Sequence, residues 1–136
     1  MFDHISWLAV IAAAIVGFVF NAIWYTPLFG DRWARLQGLD PSNMAGGPPL
    51  PLLLAINFGL NVLGATSLAV LVKPFAKDVV TGVMVALFVW VASGLVLKLN
   101  DLTFARKPAG LFYIDAIGHL ITLVLMGVIV SLFRAA

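Results

Sequence analysis

An aspartate and a histidine stand four positions apart in an otherwise apolar stretch, YIDAIGHLI. Asp115 and His119 belong to the segment Leu111–Phe133, which contains no other acidic, basic or imidazole side chain. Residues four apart on an α-helix lie on the same face. A desolvated carboxylate beside an imidazole can bind an ion or a proton, so these two residues are the first candidates for chemistry.

Amide side chains occur in the other apolar segments at a similar depth. Asn57 and Asn61 are also four apart, and Asn21 continues a stripe of small residues on the first segment. An α-helix rises about 1.5 Å per residue, which gives the depth of each residue in its helix. By this measure the three asparagines and Ser93 lie in the same half of their helices as Asp115 and His119. We therefore predict a polar chamber in that half. Its lining would be Asp115, His119, Asn57, Asn61 and Asn21.

The composition indicates that a lipid bilayer surrounds the helices that carry these residues. The chain has 136 residues, of which 62% are hydrophobic and 10% charged, and its mean hydropathy is +1.09. A soluble domain has about a quarter of its residues charged. A helix needs about 20 apolar residues to cross the hydrocarbon core. The segments of this length are Ile5–Tyr25, Leu50–Val72, Val79–Leu97 and Leu111–Phe133.

We predict an all-α membrane protein, a four-helix bundle forming a single transmembrane domain over residues 1–136. The spanning segments must be helical because lipid offers no partner for an unpaired backbone amide. We interpret the first as a retained helix, since MFDH lacks the positive charge of a signal peptide. Residues 27–38 have the pattern of a short amphipathic interfacial helix anchored by Trp33. An ordinary loop packed by that tryptophan is the alternative.

Four spans place both termini on one side of the membrane, side A, and the segments 26–49 and 98–110 on the other, side B. The positive-inside rule favours side B as cytoplasmic, because it carries five Lys and Arg residues against three on side A. The counted residues are Arg32, Arg35, Lys98, Arg106 and Lys107 on side B, and Lys73, Lys77 and Arg134 on side A.

The stretch GFVFNAIWYTPLFGDRWARLQGL resembles the signature of a bacterial membrane family catalogued as domain of unknown function 1761. The later segments LFYIDAIGHLI and LMGVIV also resemble that family. The resemblance implies four helices in the bacterial cytoplasmic membrane and no particular activity. It implies a role for Asp115 more firmly than for His119. We interpret the aromatic block as an interfacial anchor, with a gate or ligand contact as the alternative. The block consists of Trp24, Tyr25, Pro27, Phe29, Gly30 and Trp33.

The sequence argues against several other classes of function. One Asp, one His and several amides do not make a metal site, and the chain has no cysteine. We expect no cofactor and no nucleic-acid partner, since a formal charge of +2 is small and scattered. No nucleophile–base arrangement and no phosphate-binding glycine loop is recognisable, so we expect no enzyme activity.

Two functions remain open from the sequence. One is a homo-oligomeric carrier or channel for a small solute or ion, in which Asp115 is the binding carboxylate. The other is a non-catalytic accessory or assembly subunit of a larger membrane complex, in which the same polar residues only hold the bundle together. Lipid or hydrophobic-ligand binding at the Trp33 helix is a third reading. The bilayer is the surrounding partner in each case.

Overall fold

The computed structural model describes residues 5–39, 49–75 and 78–133. Lys77 and Arg134, which entered the charge count, lie outside the described residues. So do the N-terminal MFDH and residues 40–48 of the predicted side-B segment.

Every regular element in the described ranges is a helix, so the predicted all-α fold is confirmed. Four continuous helical stretches are long and apolar enough to cross a membrane: Trp7–Leu28, Leu50–Phe75, Val79–Thr103 and Ala109–Leu132. This fits an integral membrane protein. The helices are α1 (Trp7–Ile23), α2 (Gly30–Leu36), α3 (Leu50–Phe75), α4 (Val79–Val89), α5 (Val96–Thr103) and α6 (Ala109–Leu132).

Two spans contain a π-helical segment near their side-B ends. Trp24–Leu28 continues α1 and includes Pro27, while Trp90–Leu95 joins α4 to α5. The third span therefore runs to Thr103, six residues beyond the Leu97 predicted from the apolar run. Residues 98–103 of the predicted side-B segment 98–110 are helical. The short helix α2 lies within 27–38, and its location at the membrane interface stays a prediction.

Helix α6 lies at the centre of the bundle and packs against α1, α3 and α4. Small residues allow the close approaches: a Cβ atom on Gly17 would lie 2.5 Å from both Asn61 and Met126. The side-A half of the bundle is filled by apolar side chains from all four spans. This core contains Val10, Ala13, Ala65, Leu68, Val72, Ala86, Leu123, Met126 and Val130.

The side-A start of α4 is fixed by its own residues. The Asp78 carboxylate accepts a hydrogen bond from the Thr81 N–H at 2.8 Å, and the Thr81 hydroxyl accepts one from the Asp78 N–H at 3.1 Å. The hydrogen bonds that the carboxylate accepts from the Thr81 N–H and the Thr81 hydroxyl lower the pKa of Asp78, because they stabilise its charged form. The cap satisfies amides that the first turn of a helix leaves without partners. The side-B half of the bundle is different, because its interior is polar.

Candidate functional site

Asp115 joins α6 to three other segments near the side-B end of the bundle. One carboxylate oxygen accepts hydrogen bonds from the Tyr25 hydroxyl at 2.8 Å and the Trp33 indole N–H at 3.1 Å. The other oxygen accepts from the Lys98 ammonium at 3.3 Å. We call these four residues the Asp115 junction. Since the Asp115 side chain is only 14% exposed, these donors replace most of the water that would otherwise solvate the charge.

The ion pair of the junction continues towards side B. Lys98 also lies 3.8 Å from Asp101, and Lys107 lies 3.7 Å from the same Asp101 carboxylate. Two acids and two bases thus alternate from inside the bundle to its side-B end. The exposed fraction is lowest at the inner end of this series of charges, 14% for the Asp115 side chain, and highest at its outer end, 49% for the Lys107 side chain. Asp115 lines a cavity of about 20 Å³ among these charges, which has room for a single water molecule.

The amide residues form a separate polar chamber between α1, α3 and α6. The Thr122 hydroxyl donates to Asn21 at 3.2 Å, the Asn21 amide donates to Asn61 at 3.5 Å, and the Asn61 amide donates to the Asn57 side chain at 3.0 Å. The cavity beside this chain of bonds has a volume of about 290 Å³. Its lining residues are Asn21, Tyr25, Asn57, Leu60, Asn61, Gly64, His119, Thr122, Leu123 and Met126.

The chamber reaches the middle of the bundle and keeps unused hydrogen-bonding capacity. His119 stands ten residues into α6, about 15 Å from its start, which is close to half of a bilayer core. Within the described ranges, neither the His119 ring nor the Asn57 amide nitrogen has a hydrogen-bond partner. The imidazole is exposed, and a Cβ atom on Gly94 would lie 2.5 Å from its Cδ2 atom. Polar groups at this depth need water or a polar ligand.

The structure divides the residues that the sequence placed together. Asn21, Asn57, Asn61 and His119 line the chamber, but Asp115 does not. The Asp115 oxygens are bonded instead to Tyr25, Trp33 and Lys98. Tyr25 is the connection, since it lines the chamber and donates to Asp115. Ser93 donates only to the Val89 carbonyl of its own helix.

A family comparison adds to this geometry. Residues 8–131 match the family model described as "Protein of unknown function (DUF1761)". The chain belongs to the DUF1761 family. The resemblance noted from the sequence is thereby confirmed. No curated protein and no solved structure matches the chain.

The aromatic block of this DUF1761 protein lies around the start of α6. Trp24 donates its indole N–H to the Ile114 carbonyl at 2.9 Å, and its ring lies 4.5 Å from that of Phe29. Gly118 makes room for the indole, because a Cβ atom there would lie 2.6 Å from the Trp24 Nε1 atom. Gly30 permits the next turn, since a Cβ atom would lie 2.6 Å from the Tyr25 carbonyl oxygen. The block thus holds α2 and the π-helical turn against α6.

Sequence reasoning missed two residues of this arrangement. Lys98 was placed in a side-B loop, although it continues an apolar helix and pairs with Asp115. Trp90 was not singled out, yet its indole N–H donates to the Ala116 carbonyl at 2.9 Å. A tryptophan deep in an apolar span needs a partner for its N–H, and that requirement was a usable signal. Trp24 and Trp90 each begin a π-helical segment and each donates to α6.

Trp24→Phe tests the indole bond in this DUF1761 protein. We expect the free energy of unfolding to fall by about 1 kcal/mol, the usual net contribution of one hydrogen bond, because phenylalanine keeps an aromatic ring but has no donor. Chemical unfolding in detergent measures the change. Trp7→Phe is the matched control, since Trp7 is 53% exposed and forms no hydrogen bond among the described residues. Equal losses in the two variants would contradict a specific role for the Trp24 N–H.

The chemistry open to these side chains is binding through hydrogen bonds. The described residues contain no group of three or more His, Cys, Asp or Glu side chains that could hold a metal ion. The chamber lining offers amide, hydroxyl and imidazole groups, and it includes no carboxylate, ammonium or guanidinium group. An uncharged polar molecule matches that lining better than an ion does.

Proposed function

We propose that this protein binds a small, uncharged, hydrogen-bonding solute in the polar chamber and allows it to cross the membrane. The observation that carries the proposal is the 290 Å³ chamber, in which the Asn57 amide nitrogen and the His119 imidazole have no hydrogen-bond partner among the described residues. A solute with both a hydroxyl or amide donor and a carbonyl-type acceptor would satisfy these groups. The cost of taking that solute out of water would then be offset in the chamber.

The proposal changes the role expected for Asp115. The sequence favoured this carboxylate as the ion- or proton-binding group of a carrier. With three donors already on its oxygens, Asp115 has little capacity left for a transported ion. We assign it instead to holding the side-B end of the bundle together. Tyr25, which touches both regions, would transmit a change in one to the other.

A homo-oligomer remains part of this proposal. The chamber opens at the outer surface of the bundle, where His119 is exposed. Nearby, seven consecutive residues at the start of α3, Leu50–Ile56, are all exposed. A second copy covering this opening would separate the polar lining from lipid, as a permeation pathway requires. We place the assembly in the bacterial cytoplasmic membrane with side B inside, following the charge asymmetry.

Replacing the two asparagines of α3 tests the chamber. The purified protein is reconstituted into liposomes, and osmotic swelling is recorded with urea and with glycerol as probes. We expect Asn57→Leu/Asn61→Leu to reduce swelling by about thirtyfold, because it removes two hydrogen-bonding groups worth about 1 kcal/mol each. The matched control is Asn100→Leu, at an exposed asparagine of α5 outside the chamber lining.

The swelling assay has two outcomes that would reject the proposal. Wild-type liposomes that swell no faster than protein-free liposomes with either probe would remove the case for permeation. A double variant that swells as fast as the wild type, while Asn100→Leu also behaves as wild type, would remove the case for this chamber. Circular dichroism of each variant establishes that its helices are intact.

An accessory or assembly subunit is the second candidate. The exposed run Leu50–Ile56 favours the accessory role, because a helix of a partner protein could cover that apolar surface in place of lipid. Native mass spectrometry of the protein extracted from its own membranes in mild detergent separates the two candidates. A homo-oligomer alone supports permeation, and stoichiometric foreign subunits support the accessory role. In both cases we propose that the protein is not an enzyme.

A further inference from the structure

A second cavity lies on the side-B surface, outside the polar chamber. Its volume is about 150 Å³, and it shares no lining residue with the chamber. We call it the interfacial groove. Its lining consists of Trp24, Phe29, Arg32, Gly110, Tyr113, Ile114 and Ile117.

The groove is apolar along its length and cationic at one end. Its wall is formed by the paired rings of Trp24 and Phe29 and by the isoleucines of α6. The one polar atom of Trp24 is already bonded to the Ile114 carbonyl, so the wall offers no free donor there. Arg32 forms no ion pair with any residue in the described ranges, and it is exposed. Among the described residues, this end therefore presents a guanidinium without a carboxylate partner.

The groove runs along the first two turns of α6 at its side-B end. Gly110 is the second residue of α6, and Ile117 lies seven residues further, about 10 Å deeper into the span. Ile117 and Tyr113 are 42% and 59% exposed on the outer surface of the bundle, so the groove is open towards lipid. Arg32 lies on α2, whose Leu36 packs over Gly110 at the top of α6. The cation is thus at the side-B end of the groove.

We propose that the interfacial groove binds one anionic phospholipid, with its phosphate on Arg32 and an acyl chain against Trp24, Phe29 and Ile117. Guanidinium groups bind phosphate oxygens in a bidentate manner, and a net negative headgroup adds attraction to the unpaired charge. A soluble anion would use the cation and leave the apolar wall uncovered. A zwitterionic lipid would use the wall without the full charge attraction. The anionic phospholipid uses both.

Native mass spectrometry with defined lipids tests the site. The full chain is purified in detergent and titrated with phosphatidylglycerol or phosphatidylcholine. We expect wild type to retain one phosphatidylglycerol about fivefold more tightly than phosphatidylcholine, the preference typical of one basic residue at a membrane surface. Arg32→Gln should abolish this preference. Ile117→Trp, which fills the groove with a larger apolar residue, should weaken binding of both lipids.

Arg35→Gln is the matched control, because Arg35 is an exposed arginine of α2 that does not line the groove. It should bind both lipids as wild type does. Equal loss of the preference in Arg32→Gln and Arg35→Gln would overturn the site and indicate diffuse attraction to the basic surface. Unchanged binding in Ile117→Trp, or displacement of the lipid by inorganic phosphate, would overturn the assignment of an acyl chain to the groove.

Discussion

Asp115→Leu is expected to lower the free energy of unfolding by about 3 kcal/mol. Removing one partner of a buried ion pair costs about 3 to 5 kcal/mol, because the other charge is left without compensation. The lower end applies here since the Lys98 side chain is 31% exposed and regains some water. Tyr25 and Trp33 lose their acceptor in the same change. Three contacts that connect other segments to α6 are therefore lost together.

Two further variants separate the charge from the hydrogen bonds at Asp115. Asp115→Asn keeps an oxygen for Tyr25 and Trp33 but loses the ion pair, so we expect a smaller loss of about 1 to 2 kcal/mol. Asp115→Leu combined with Lys98→Met should recover part of the stability, because no unpaired charge then remains. Unfolding by denaturant in detergent measures all three. Asp101→Asn is the control, since it breaks only more exposed and longer ion pairs.

Urea swelling of Asp115→Asn liposomes distinguishes the two roles considered for this residue. With Asp115 as a structural junction, folded Asp115→Asn protein should let urea cross at the wild-type rate. A carrier that uses this carboxylate to bind its ion or proton would instead lose coupled transport while its stability stayed near that of wild type. An Asp115→Leu variant as stable as the wild type would refute the structural role.

Gly82→Leu is the other change with a large expected effect, a loss of about 3 kcal/mol or more in the free energy of unfolding. A Cβ atom on Gly82 would overlap the Ser131 hydroxyl and lie 3.2 Å from the Gly127 carbonyl oxygen. On the facing helix, a Cβ atom on Gly127 would lie 3.0 Å from that of Ala86. The backbones of α4 and α6 are thus close to contact. A leucine there must push the helices apart, and overpacking of this kind costs about 1 to 3 kcal/mol or more.

Gly59→Leu is the matched control for Gly82→Leu. Both glycines lie inside spanning helices, but a Cβ atom on Gly59 would meet no other atom within 4 Å. We expect this variant to be neutral or more stable by up to about 1 kcal/mol, because leucine favours the helix more than glycine does. The two variants are compared first by the yield of folded protein, monomeric or oligomeric, in a detergent extract. Denaturant unfolding then gives the free energy of unfolding of each variant. Similar losses at both positions would contradict the close crossing of α4 and α6.

Tyr25 links the polar chamber, which carries the proposed function, to the Asp115 junction, which contributes to stability. Its ring lines the chamber while its hydroxyl donates to Asp115. Loss of the junction would free one wall of the chamber and the α2 helix above it, since Trp33 is bonded to the same oxygen. A variant that removes the Tyr25 bond, such as Asp115→Leu, should therefore change stability and permeation together, whereas Asp115→Asn keeps an oxygen for Tyr25 and should keep its permeation.

The sequence by itself determined the number and kind of spanning helices. Four long apolar runs leave no alternative to helices in lipid, because each backbone amide must be bonded within its own segment. It also determined that Asp115 could not face lipid, since an ionised carboxylate there costs several kcal/mol. The block from Trp24 to Trp33 was sufficient to indicate the family.

Only the tertiary structure decided which polar residues meet. Lipid-facing and core-facing positions are equally apolar in these spans, so the sequence carries little signal for how each helix is rotated about its axis. That rotation is set by contacts between distant segments, such as Gly17 against Asn61 and Gly118 against Trp24. Depth then separates the two residues that share a face of α6: Asp115 meets Lys98 near the side-B end, and His119, one turn deeper, meets the chamber.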